Sequence, residues 1–334
     1  MRAVRLIEPG RVEVAEVPDP SSRDQATVRV RRVGVCGSDL KIITGRVRVR
    51  CPRVLGHEMV GEVEAVPAGS HFQPGTRVLV DPAVACGWCD LCLVGRTNLC
   101  RNGGLMGRDL DGVFAERVTA PVGRLLPFPE TLSYRQAGLL QVLGTCVHAV
   151  SRLAPTMPGQ VAVVIGLGVT GQLLSQLLSL RGARVIGVTR SSWKRDLARG
   201  LGAEGAVEPE AAPSFLDDLT AGRGPDLVVE AVGTAPTLAW AIDLVAAGGE
   251  VLAYGSIPAG DRSLPYATAH EKELTIRHPR AALIGDYAEG IRLASAAQLT
   301  LDPIVTHELD LHEAPRAFEL VEDASSLKVL MRVD

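Results

Sequence analysis

The sequence predicts an α/β chain with two regimes: a mostly β first part, and a later part built like a doubly wound parallel sheet. Three observations carry this reading. Before residue 125 the apolar runs are short and broken by turns. From residue 160 strand-like and helix-like runs alternate, and a glycine-rich turn joins the first strand of that series to its first helix. With 334 residues, 46% of them hydrophobic and 22% charged, the chain can bury two cores of ordinary size.

In the first part, residues 27–31, 61–66 and 77–80 read as strands of a small barrel or sandwich, the last following the Pro74-Gly75 turn. In the second, strands at 161–165, 184–188, 226–230 and 250–254 alternate with helices at 170–180, 193–201, 214–220 and 236–245. Such continuous apolar strands imply helices on both faces of a parallel sheet. The tail offers a strand at 274–276, helices at 287–297 and 312–322, and a last strand at 328–333.

A formal charge of −3, from 35 basic and 38 acidic residues scattered along the chain, gives no field suited to nucleic acid or an anionic membrane. No run approaches the ~18 apolar residues of a membrane span, and Met1-Arg2-Ala3-Val4-Arg5 opens no signal-peptide core. A cytoplasmic protein is expected. In that setting seven cysteines point to metal rather than to disulfides.

The strand at 161–165 runs directly into Gly166-Leu167-Gly168-Val169-Thr170-Gly171, followed by Leu173, Leu174, Leu177 and Leu178 on one helical face. Gly166 permits the turn, Gly168 lets backbone amides approach a pyrophosphate, and Gly171 allows close packing of helix on strand. An Asp or Glu about 20 residues on would accept the ribose hydroxyls of NAD. That position, 23 residues after Gly166, is Thr189, followed by Arg190, Ser191 and, in the next helix, Arg195. Hydroxyls and guanidiniums favour the 2′-phosphate of NADP.

Cys86, Cys89, Cys92 and Cys100 are spaced C-x2-C-x2-C-x7-C. Four thiolates so close can fill one tetrahedral zinc, leaving no position for chemistry, so this lobe reads as a closed structural site. A second candidate set is dispersed: Cys36 in Gly34-Val35-Cys36-Gly37-Ser38-Asp39, and His57 and Glu58 in Gly56-His57-Glu58. Spacing alone does not group these residues.

Taken together, these motifs resemble the zinc-dependent medium-chain alcohol and polyol dehydrogenase family in order and spacing, as do Asp111-Gly112-Val113-Phe114-Ala115-Glu116 and Glu230-Ala231-Val232-Gly233. The resemblance spans residues 1–334. It implies a GroES-like catalytic domain carrying the structural zinc lobe and a Rossmann domain, with a catalytic zinc on Cys36 and His57. Glu58 is then either the third ligand or an exchangeable one. It also implies that Asp39 orients His57, that Ser38 passes the substrate proton outward, and that Thr145 lies beside the nicotinamide. Two zinc ions per chain are expected.

Three departures stand out. Where the family usually has Cys, Glu or Asp, this chain has Gln141, a poor zinc ligand, so either Glu58 completes the site with Gln141 behind it or the zinc is weak. Where many relatives have a relay His, it has Lys41. Between the ligand motifs lies Arg46-Val47-Arg48-Val49-Arg50-Cys51-Pro52-Arg53, which reads as a charged edge strand or, alternatively, as donors to an anionic substrate.

The expected organisation is a catalytic domain at 1–143 and 276–334, a dinucleotide-binding domain at 144–275, and an active site in the cleft between them. The leading expectation is a zinc-dependent oxidoreductase interconverting a secondary alcohol or polyol with its ketone, using NADP in preference to NAD and forming a homodimer or homotetramer. Two alternatives are an aldehyde reductase using the same residues, and a non-catalytic dinucleotide-binding regulatory protein that keeps only the structural zinc.

Overall fold

The computed structural model describes residues 1–257, 264–323 and 325–333. The chain divides into two compact units, one made of Met1–Gly144, Leu283–Ala297 and Leu301–Asp334, the other of Thr145–Ala282 and Gln298–Thr300.

The first unit is built on a sheet with the strand order Leu125–Pro127, Arg77–Val80, Met59–Ala65, Ala26–Gly34, Lys328–Arg332, Val305–Asp310, and Arg117–Ala120 also pairs with Ala26–Gly34. A smaller sheet joins Arg11–Glu16, Arg2–Glu8 and Arg53–Val54. The strand Ala26–Gly34 is central because Val28, Val30 and Val33 alternate into the core, where they meet Met59, Val63, Val78, Phe114, Val329 and Met331. This brings a strand from the C-terminal end of the chain beside the turn that carries Cys36: Leu330 pairs with Gly34 and Met331 with Val33.

The second unit holds a six-stranded parallel sheet, ordered Gly205–Val207, Arg184–Val188, Val161–Ile165, Leu227–Glu230, Glu250–Ala253, Thr275–Arg277. Every residue of Val161–Ile165 is buried, as a parallel strand covered on both faces requires. Order reverses beside this strand, at the point where the glycine turn leaves it. The first unit resumes at Leu283 rather than at the expected 276, because Thr275–Arg277 pairs with Glu250–Ala253 and stays with the parallel sheet.

Other elements lay outside the sequence reading. The helix Gly37–Ile43 is too short to show a period, and Leu140–Ser151 is apolar nearly all round. The arginine run forms no edge strand at 46–50; only Arg53–Val54 pairs, with Leu6 and Arg5. Among the described residues no helix is long and apolar enough to cross a membrane.

One buried ion pair braces the first unit. Asp81 accepts from Arg124 Nη1 at 2.6 Å and from the Ala83 N–H at 3.0 Å. Burial pushes its carboxyl up, against those two bonds. Arg124→Met strands this carboxylate and is expected to cost about 3 kcal/mol in denaturant unfolding near neutral pH. A raised folded-state pKa means that the native state binds the proton more tightly, so stability falls as pH rises through that value. The deficit of the variant should therefore shrink as pH is lowered into the carboxylate range, and a pH-independent deficit would contradict this account.

Candidate active site and metal centres

Cys36 forms the N-cap of the helix Gly37–Ile43, so its side chain and those of Ser38 and Asp39 emerge from one turn. Asp39 is buried. Its Oδ2 accepts from the Cys36 N–H at 2.9 Å and its Oδ1 lies 3.2 Å from His57 Nδ1. With Nδ1 engaged, His57 presents Nε2 outward, where Ser38 Oγ lies 3.3 Å away. Burial works against a charged His57, but the Asp39 carboxylate and Cys36 outweigh it and hold the imidazole well above its ordinary value.

The loop that presents His57 is fixed by close packing. Gly56 sits at φ +90°, and a Cβ there would meet the Phe114 ring at 2.1 Å; a Cβ on Gly112 would meet the Leu55 carbonyl at 2.3 Å. The segment from Asp111 to Glu116 is thus the wall against which the His57 loop is pressed, and Asp111 Oδ1 accepts from the Val54 N–H at 3.1 Å.

Glu58 is brought to the same place. One donor atom from each of Cys36, His57 and Glu58 lies within 4.8 Å of the others. Glu58 Oε2 is ion-paired with Lys328 Nζ, and both residues are 2% exposed. Lys328 also donates to the Val35 carbonyl at 3.1 Å. Gly34 makes room for this pair, since a Cβ there would meet Glu58 Oε2 at 2.5 Å and Lys328 Cε at 2.6 Å. Lys328 is one of only four lysines, and nothing in its local sequence marks it; a lone lysine opening an apolar C-terminal strand is the only hint.

Gln141 is buried, and its Nε2 donates to Tyr287 Oη at 3.5 Å. Burial pushes the Tyr287 hydroxyl well up, as do the nearby Asp81 and Glu58 charges, so Tyr287 stays a neutral prop under this wall. Gln141 is thus held by a side chain that the sequence reading did not single out. Lys41 is half-buried in the last turn of Gly37–Ile43.

The four-cysteine lobe lies apart from this cluster in sequence and has little apolar core of its own: Trp88, Leu93 and Val94 are exposed. Cys86 Sγ lies 3.9 Å from Cys92 Sγ, and Cys89 Sγ 3.9 Å from Cys100 Sγ. A tetrahedral zinc with bonds of about 2.3 Å needs sulfur separations of about 3.8 Å, so the donor set fits the ion. Asp90 and Arg101 clasp the lobe through two bonds of 2.8 and 2.9 Å. Burial raises the Cys86 thiol, but the N–H groups of Trp88 and Cys89 and the neighbouring thiols bring it down to about 6. A third grouping, Asp310, His312 and Glu313, is spoken for: Asp310 pairs with Arg332 at 2.7 Å, and Glu313 accepts the Asp310 N–H at 2.9 Å.

In the second unit the glycine turn has the form a pyrophosphate requires. Gly166 takes φ +94°, a Cβ on Gly171 would meet the Gly166 carbonyl at 1.9 Å, and a Cβ on Gly168 would meet nothing within 4 Å. Gly168 caps the helix Val169–Leu180 without any side-chain bond, leaving that helix end to an external acceptor. Glu230 gathers the facing loop by accepting from the N–H groups of Val232 and Gly233, both at 2.8 Å. Thr145 Oγ1 lies 2.8 Å from Tyr254 Oη.

At the end of the strand Arg184–Val188, Thr189 is half-buried and Arg190 is exposed, its guanidinium without a hydrogen bond or ion pair among the described residues. Ser191 caps the next helix without a side-chain bond. Arg195 departs from expectation: its Nη1 donates to the Thr189 and Arg190 carbonyls at 2.8 and 2.9 Å, and its Nη2 is paired with Glu208 at 2.7 Å. It braces the loop, with three of its five N–H donors engaged by the two carbonyls and Glu208.

Residues 22–130 match the family described as Alcohol dehydrogenase GroES-like domain, and residues 169–296 that described as Zinc-binding dehydrogenase. The chain is 28% identical over 329 residues to a sorbitol dehydrogenase of Halalkalibacterium halodurans, covering 96% of each chain. Alcohol dehydrogenase TADH from Thermus sp. ATN1 superposes with a TM-score of 0.93 at 35% identity, over 100% of both chains. A structure described as a zinc-binding dehydrogenase from Sinorhizobium meliloti 1021, bound to NADP, gives a TM-score of 0.90 at 31% identity, covering 99% of this chain and 98% of that one.

The Glu58–Lys328 pair generates a test. Lys328→Met leaves Glu58 buried without a counter-charge, and the chelator-treated protein is expected to lose about 3–5 kcal/mol in unfolding relative to its parent. A cation held by Glu58 replaces the missing charge, so the deficit should be clearly smaller in zinc-loaded protein. Equal deficits with and without zinc would separate Glu58 from the metal.

Proposed function

We propose, from the premise that the chain belongs to the zinc-binding alcohol dehydrogenase family, that Cys36, His57 and Glu58 carry its catalytic zinc and that NADP is its preferred hydride carrier. The chain is a zinc-dependent oxidoreductase acting on alcohols or polyols with a nicotinamide cofactor. The reaction proposed is the interconversion of a secondary alcohol or polyol with its ketone. The observation that carries the reading is the convergence of three donors of suitable type within 4.8 Å.

A zinc ion bound there supplies Lewis acidity that draws the pKa of an alcohol hydroxyl toward neutrality. Asp39 fixes the His57 tautomer so that the Nε2 lone pair is free to ligate. Lys328 aims Glu58 through their buried ion pair, acting as a positioning residue. Ser38 Oγ, beside His57 Nε2, takes up the proton of the substrate hydroxyl as it gives its own toward solvent. Glu58 brings a third donor to Cys36 and His57, so the neutral Gln141 is not needed as a ligand; that removes the motive for a non-catalytic reading. The nicotinamide supplies the carbon that accepts the hydride.

The helix end at Gly168 takes the pyrophosphate, and Thr145 serves the nicotinamide end. Thr189, Ser191 and the unpaired Arg190 receive the 2′-phosphate. A homodimer is supported by the strand Thr275–Arg277, which closes its sheet and pairs on one side only among the described residues.

Cys36→Ala is expected to reduce alcohol oxidation by at least about 1000-fold, while circular dichroism and NADP binding stay as in the parent; retained turnover would remove the mechanism. Arg190→Ala is expected to weaken NADP by about 10-fold or more and to leave NAD within about twofold. An unchanged NADP to NAD ratio would overturn the phosphate contact.

A further inference from the structure

One feature between the two ligand motifs has no part in this chemistry. Arg46, Arg48 and Arg50 are exposed, while Val47 and Val49 between them are half-buried and pack, with Cys51, against the core of the first unit. Exposure thus alternates along the segment, with the three arginine side chains toward solvent and the valines toward the core. The segment is also anchored. The Val47 N–H donates to the Lys41 carbonyl at 2.8 Å, which seats its start against the last turn of the helix whose N-cap is Cys36. That helix has seven residues, a length of about 10 Å.

None of the three arginines has a hydrogen bond or ion pair among the described residues. Nearby Arg53, by contrast, is paired with Asp111 at 3.2 Å. Alternate residues stand no more than about 7 Å apart along the chain, inside the Debye length, so the guanidiniums repel one another. The valines prevent the row from relaxing by turning inward. A fixed row of unneutralised guanidiniums, one short helix away from Cys36, is matched by an oxyanion rather than by an uncharged group.

We propose that Arg46, Arg48 and Arg50 recognise the phosphate of a polyol phosphate monoester, whose chain carries the reacting hydroxyl to Cys36, His57 and Glu58. A carboxylate offers two oxygens and one negative charge, whereas the dianion of a phosphate monoester offers three terminal oxygens and two charges and suits several forks at once. This rests on the dehydrogenase reading and adds the substrate class to it.

The test uses the zinc-loaded enzyme with NADP or NAD. Sorbitol is compared with sorbitol 6-phosphate, xylitol with xylitol 5-phosphate, and gluconate is included. Binding is followed by calorimetry and turnover by nicotinamide absorbance. For a phosphate ester the expected kcat/KM is at least about 100-fold above that of its parent polyol at low salt, falling as salt is raised. The combined variant Arg46→Gln, Arg48→Gln, Arg50→Gln should lose that advantage and its salt dependence, with kcat/KM for the neutral polyol within about twofold of the parent.

Equal kcat/KM for ester and neutral polyol, or an ester preference that survives in the variant, would overturn the proposal while leaving the dehydrogenase intact. A preference for gluconate over both esters would overturn it in favour of a carboxylate. If nothing is oxidised, the dehydrogenase reading fails on its own account, and calorimetry still decides the arginines: ester binding lost in the variant supports them, and binding that is absent or unchanged overturns them.

Discussion

The balance of buried charge around Cys36 and His57 is the constraint on which the rest of the first unit depends. Two carboxylates, Asp39 and Glu58, and one ammonium, Lys328, are withdrawn from water, Asp39 against His57 and Lys328 against Glu58. Burial on this scale is costly unless the charges cancel. The Asp39 carboxylate favours the charged form of His57, against the cost of burial. With a divalent ion, His57 and Cys36 each give up a proton on ligation, and the sum comes to zero. On the proposed ligand set, binding would exchange two protons against one cation.

Several otherwise arbitrary features follow from this. Gly34 and Gly56 are glycines because Glu58, Lys328 and the Phe114 ring occupy the space their side chains would need. The strand Lys328–Arg332 lies beside Ala26–Gly34, so a residue near the end of the chain neutralises one near its start. Tyr287 and Gln141 fill the remaining wall with neutral hydrogen-bonding groups and add no charge to the balance. In the second unit the constraint is different: an open helix end and an unpaired guanidinium offer positive potential at the surface, where a phosphate can reach it.

Legibility in the sequence followed the range of the interaction. The central strands of the parallel sheet were readable because they are continuous apolar runs: 161–165 and 184–188 coincide with the strands observed, while the short edge strand Gly205–Val207, only partly buried, was not read. The glycine turn and the cysteine lobe were readable because their partners are neighbours in the chain. The grouping of Cys36 with His57 and Glu58 was not, and came only through family resemblance. Lys328 and Tyr287 escaped entirely, since they act across 270 and 146 residues and neither carries a local pattern. The bracing of Arg195 was not legible for the same reason: its partner Glu208 lies at another strand's end. The return of the chain to the first unit was placed at 276 because hydrophobic pattern alone does not say which sheet the strand Thr275–Arg277 joins.

X-ray absorption at the zinc edge tests the central claim most directly. Protein saturated with zinc and freed of excess ion should hold two ions per chain, one with four sulfurs and one with a single sulfur and nitrogen or oxygen neighbours, an average of about 2.5 sulfur scatterers per zinc. One ion per chain with about four sulfurs would mean that Cys36, His57 and Glu58 hold no metal, and the balance of charge described above would have to be met some other way.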